Sequence, residues 1–205
     1  YNSDPTRWTD EVKVLTETEV VSGIPDLKYV NALNMSSSMG KHLGGSKSKY
    51  AVQIEDGSWV FDDIVMEEFR SRDNKWRAGQ RTFEPASMNP KVEPTESEKI
   101  QRGKCRVFFA YGTVTQMLIR KYSLTIVRMF CMLTSTTEVG VGLNPHSIRW
   151  NEILECFNEF SGNNWLGWDY SNFDIIVPPE YLKAALDCIF YVPLIADCFS
   201  EEDKT

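Results

Sequence analysis

Apolar residues change their spacing several times along this chain, and each change predicts an element. "AVQIEDGSWVFDDIVMEEFRSR" (51–72) reads as a strand, a turn at Asp56-Gly57, and a helix begun near Asp62 or Asp63. The acid pair there is read as helix N-terminal charge rather than a catalytic couple. Cys105 to Tyr111 is dense in β-branched and aromatic residues and predicts a strand. Thr113-x-x-Gln116 then offers a capping box. Met117, Leu118, Tyr122, Ile126, Met129, Phe130 and Leu133 follow at helical period. Trp150, Ile153, Leu154 and Phe157 mark another amphipathic helix, after which Ser161 to Asn164 turns the chain.

In "WLGWDY" (165–170) the alternation predicts a strand with Trp165, Gly167 and Asp169 on one side and Leu166, Trp168 and Tyr170 on the other. Pro178-Pro179 opens a last helix carrying Leu182, Ala185, Leu186 and Ile189 and stopping before Pro193. Asp169 therefore falls at the carboxyl end of a strand, where acids often meet ligands. On spacing alone, Asp169 and Asp174 read equally as surface acids. The aromatic residues, the tryptophans and Phe108-Phe109 included, are expected in the core.

Between these elements, "ALNMSSSMGKHLGGSKSKY" (32–50) is a Gly/Ser/Lys-rich loop. It is not a Walker loop, because Ser46 separates Gly45 from Lys47 and no apolar strand feeds it. Residues 89–104 and 136–147 are also loops. The expected class is α+β.

Composition narrows the classes. With 42% hydrophobic and 25% charged residues, the 205-residue chain suits a globular protein. No apolar run is long enough to cross a bilayer, so no transmembrane segment is expected. The five scattered cysteines form no Cys-x-x-Cys pair and read as free thiols, and with His42 and His146 as the only histidines a zinc site is not expected. The net charge of −7 hides a split. From Glu96 to Arg128 seven bases face two acids, whereas from Asn151 to Thr205 eleven acids face two lysines. Such a split suits a site handling both polyphosphate and cations, or simply two solvated faces.

Several stretches, in order, carry a resemblance. Asp169-Tyr170-Ser171-Asn172-Phe173-Asp174 resembles motif A, D-Y-[ST]-x-[FY]-D, of picornavirus-like viral RNA-dependent RNA polymerases. "GKCRVFF" (103–109) resembles that family's finger motif GKTRxF, with Cys105 in the usual threonine position. "VGVGLNPHSIRW" (139–150) resembles its G-x-N-P-x-S-x-x-W stretch, and "NPKVEPTESEKI" (89–100) its lysine-x-glutamate segment. "MSSSMG" (35–40) is similar to a worn S-x-G-Y-P loop.

The resemblance implies a partial right-hand polymerase fold: a fingers portion over 1–122 and the start of the palm over 123–205. No stretch resembles the later motifs B and C, and the first residue is Tyr1, so the chain is expected to be a fragment whose remaining polypeptide carries them. The implied activity is RNA-directed RNA synthesis with Mg²⁺ or Mn²⁺, on template and primer RNA, from nucleoside triphosphates, in the host cytoplasm within viral replication complexes. The implied roles give metal to Asp169 and the Tyr170 carbonyl, and the ribose 2′-hydroxyl to Asp174. Arg106 and Lys99, with Lys91 and Lys104 as further candidates, would take the triphosphate, and Glu93 would orient one of these bases. Arg106 and Asp169 are then expected to face one cavity. The chain alone is expected to be inactive and poorly soluble. Two other readings stand beside this one: a non-catalytic RNA- or protein-binding remnant of a viral polymerase, and an unrelated α+β domain.

Overall fold

The computed structural model describes residues 11–134, 139–160, 166–195, 199–200 and 203, without the side chains of 174 and 192–195. The predicted turn at 161–164, Trp165, part of the 136–147 loop and Cys198 lie outside the described residues, as does the side chain of Asp174. Helices and short strands alternate: α1 (Glu17–Ser22), β1 (Ala51–Gln53), β2 (Trp59–Phe61), α2 (Asp63–Arg77), β3 (Ser87–Pro90), α3 (Ser97–Gln101), β4 (Val107–Ala110), α4 (Thr113–Met132), α5 (Trp150–Asn158), α6 (Phe173–Ile176) and α7 (Pro179–Ile195). The described residues divide into two compact units, one of 15–27 and 31–121, the other of 11–14, 28–30 and 122 onward.

In the first unit β1 and β2 form an antiparallel hairpin with Ala51 opposite Phe61, turned at Gly57 with φ 85°. The Asp62 carboxylate then accepts the Val65 N–H at 3.1 Å and starts α2, as the acid pair predicted. Helix α2 buries Val65, Met66 and Phe69, and α4 buries Val114, Met117 and Leu118. A real capping box sits at α1, where the Thr16 hydroxyl accepts from the Glu19 N–H and the Glu19 carboxylate takes the Thr16 N–H. The box expected at Thr113 does not form. Thr113 is already helical, its N–H donates to the Met39 carbonyl at 2.9 Å, and the Gln116 N–H goes to Gly112.

A polar network locks α2 to the start of α4. Arg72 donates to Glu68 at 2.5 Å, to Glu84 at 3.0 Å and to Thr115 at 3.1 Å, and the Thr115 hydroxyl donates to Glu84 at 2.5 Å. Glu84 thereby lies against the first turn of α4, where negative charge is favoured. The fit is tight: a Cβ on Gly112 would stand 1.9 Å from Glu84 Oε1, and one on Gly40 would stand 2.5 Å from Gly112 Cα.

In the second unit Val12, Ile126, Met129 and Phe199 form a core, with Phe130, Leu133 and Ile189 packed against it. The predicted helical stripe of α4 is thus buried in both its halves. Helices α5 and α7 form where the period placed them, but α7 continues through Pro193 to Ile195. Proline's fixed φ is helical, and although inside a helix it loses one donor and crowds the carbonyl four residues back, at about 3 kcal/mol, it does not forbid the turn. Residues 166–170 form no strand. A strand exists only as one side of a ladder, and the described ladders are β1–β2 and β3–β4.

The aromatic residues depart from expectation as well. Phe108 and Phe109 are 49% and 62% exposed, and Trp150 and Trp168 are also exposed. A two-stranded ladder has two open faces, so an apolar strand in it is not thereby buried. Among the described residues no helix is long and apolar enough to cross a membrane, and Cys105, Cys131, Cys156 and Cys188 are free thiols.

Candidate polymerase site

The basic segment is organised by the β3–β4 ladder, which pairs Ser87 with Ala110 and ends with Pro90 opposite Val107. One step further the Lys91 N–H donates to the Arg106 carbonyl at 2.8 Å, which sets these two cations side by side. Glu93 gathers them: its carboxylate takes Lys91 Nζ at 2.9 Å and Arg106 Nη1 at 3.4 Å. The hydrogen bond from Lys91, aided by the charge of Arg106, holds the Glu93 carboxyl below the usual carboxylate range. The ion-paired cluster therefore loosens as pH falls through that lowered value. The Arg106 side chain remains 74% exposed, so most of its donors face outward.

Lys99 and Lys104 are brought together by a different device. Helix α3 is closed just past its end by Gly103, whose φ of 66° suits glycine. The Gly103 N–H donates to Ile100, and the Lys104 N–H to the Lys99 carbonyl at 2.9 Å. Lys99 Nζ lies 3.0 Å from Glu96, whereas the Lys104 side chain is exposed with no partner among the described residues.

In the other unit Asp169 and Tyr170 are exposed on the irregular stretch ahead of α6. The Tyr170 ring packs on Phe173 at 5.7 Å. Asn172, at φ 55° and ψ 37°, reverses the chain in the left-handed region that asparagine tolerates. Its carbonyl accepts the N–H groups of Ile175 and Ile176 at 2.9 and 3.1 Å, which starts α6 and places the Asp174 backbone in its first turn. The Asp169 carboxylate has no partner among the described residues, and these contain no group of three metal-ligating side chains. Asp169 and the Tyr170 carbonyl are hard oxygen donors of the kind Mg²⁺ takes, and Mg²⁺ keeps several waters beside one or two carboxylates. The donors fit as part of a site.

Two features of the first unit were missed in the sequence. Glu68 and Arg72 stand four apart on α2, a readable pair, but Glu84 and Thr115, which complete their network, lie too far along the chain for spacing to reveal. Lys47, in the loop read as a failed Walker motif, is buried at 3% exposure.

A family model described as viral RNA-dependent RNA polymerase matches residues 6–194. The chain belongs to that family. It is 28% identical over 167 residues to the replicase polyprotein of Acute bee paralysis virus, covering 79% of this chain and 9% of the polyprotein. It is likewise 28% identical over 180 residues to the RNA1 polyprotein of Cherry rasp leaf virus, covering 82% and 8%. The chain superposes on the solved Sicinivirus 3Dpol RNA-dependent RNA polymerase with a TM-score of 0.70 at 18% identity, over 90% of this chain and 39% of that one. The mixed helix and small-sheet architecture is thus part of a right-hand polymerase fold. The chain spans less than a tenth of either polyprotein.

Proposed function

We propose that this chain supplies the fingers-side cations, over 1–122, and the first palm acid, over 123–205, of a polymerase that copies viral RNA by nucleotidyl transfer. The observation that carries the reading is the Lys91–Glu93–Arg106 cluster on β3–β4, within a chain matched by the viral polymerase family over 189 of its 205 residues (6 to 194 inclusive). Template and primer RNA, nucleoside triphosphates and the remaining polypeptide with motifs B and C are its partners, and the host cytoplasm, in viral replication complexes, is its place of work.

The chemistry assigned to each residue follows from its type. Arg106 presents a planar fork that meets two phosphate oxygens at once, and Glu93 holds that fork in register with Lys91. Lys99 and Lys104 add charge on the same segment. Asp169 and the Tyr170 carbonyl would hold Mg²⁺ or Mn²⁺, which when bound neutralises charge on the attacking and leaving oxygens. Asp174, in the first turn of α6, would accept the ribose 2′-hydroxyl and so favour ribonucleotides. The single palm acid is insufficient for two metal ions, so the chain by itself is inactive.

Primer extension by the intact polymerase tests this. Asp169→Ala should lower kcat by about 10²-fold or more, the scale of losing a charge-stabilising group, with the melting temperature unchanged because the side chain is exposed. Equal rates for the two proteins would refute the metal role. A polymerase that binds RNA without extending any primer would favour the non-catalytic remnant.

A further inference from the structure

The loop between Met35 and Ser48 has the Gly/Ser/Lys composition of a flexible linker, yet its neck is closed by hydrogen bonds. The Lys47 N–H donates to Ser37, the Ser48 N–H to Met35 and the Met39 N–H to Gly45, at 2.8 to 2.9 Å. Met39, at the neck, is buried. At this neck the Lys47 ammonium donates to Ser37 Oγ at 2.7 Å and to the Ser38 carbonyl at 2.9 Å. It pairs with no carboxylate among the described residues. Burial alone pushes it below the ordinary lysine value.

An ammonium buried without a counter-charge is a poor way to stabilise a loop, and an apolar side chain of similar length would serve stability at least as well. Its contacts suggest what it does instead. The Ser38 carbonyl that it holds also takes the Thr113 hydroxyl at 3.4 Å. The next carbonyl, of Met39, takes the Thr113 N–H, and Gly40 lies against Gly112. The neck is thereby fixed to the turn that joins β4 to α4, and β4 is the strand that begins beside Arg106.

We infer that Lys47 is a positioning residue: its ammonium clamps the loop neck onto the β4–α4 junction and so fixes how β4 presents Arg106. The effect on nucleotide use rests on the polymerase reading; the clamp itself does not. In the intact polymerase, Lys47→Met keeps the stem and removes the donors. Amide exchange at Met39 and Thr113 should speed up about tenfold, and the KM for nucleoside triphosphate should rise about tenfold, while kcat and melting temperature change little. Unchanged exchange and unchanged KM overturn the inference. So does a fallen melting temperature with KM unchanged, the mark of a merely structural lysine. Should Lys47→Met fail to fold, Ser37→Ala removes one acceptor and must move exchange and KM in the same direction; no movement overturns the inference equally. If wild type extends no primer, the polymerase reading fails, and the exchange rates still decide the clamp.

Discussion

Arg106 shows what one side chain is asked to do. Its guanidinium is tied at one corner to Glu93 and open elsewhere, a fork already aimed before any ligand arrives. Lysine keeps the charge but not the fork, so Arg106→Lys should raise the nucleotide KM by about ten- to a hundredfold, from the worth of a charge-assisted bidentate pair. Steady-state extension against nucleotide concentration measures it, and a KM within error of wild type would remove Arg106 from the triphosphate site. Glu93 beside it was legible only through the resemblance, whose lysine-x-glutamate segment put this acid among the bases it could orient. Lys47 was not legible. Composition says loop, loops are exposed by default, and only the hydrogen-bonded neck reveals a buried ammonium.

Among elements, those carried by local rules could be read and those that need a partner could not. Helices α2, α4 and α5 follow from their apolar period, and the Asp62 cap follows from a short acid before a helical run. Asp62→Ala should cost about 1 kcal/mol of stability, the usual worth of an N-cap, seen as a lower melting temperature with extension kinetics unchanged. The alternation at 165–170 predicts side-chain directions but cannot supply the neighbouring strand on which a ladder depends. In the same way, period and β-propensity placed β4 correctly and said nothing about whether its faces would be covered.

For the whole molecule, the uncovered surface dominates. Leu154 and Phe157 on α5, Leu182, Leu186 and Phe190 on α7, and Phe108 and Phe109 on β4 are all 40% exposed or more. Apolar surface of that kind marks interaction faces and drives association when nothing covers it. The 205-residue chain expressed alone should self-associate, with light scattering reporting a mass well above its 23.5 kDa. A monodisperse monomer would mean these faces need no cover.

Elsewhere the chain has no slack at all. Between Gly40 and Glu84, position 112 has room for a hydrogen and nothing more. A virus forced to carry serine there should recover in serial passage by trimming Glu84 to a shorter residue, never by changing Gly40, which has no side chain left to give up. Sequencing the revertants would show which neighbour yields.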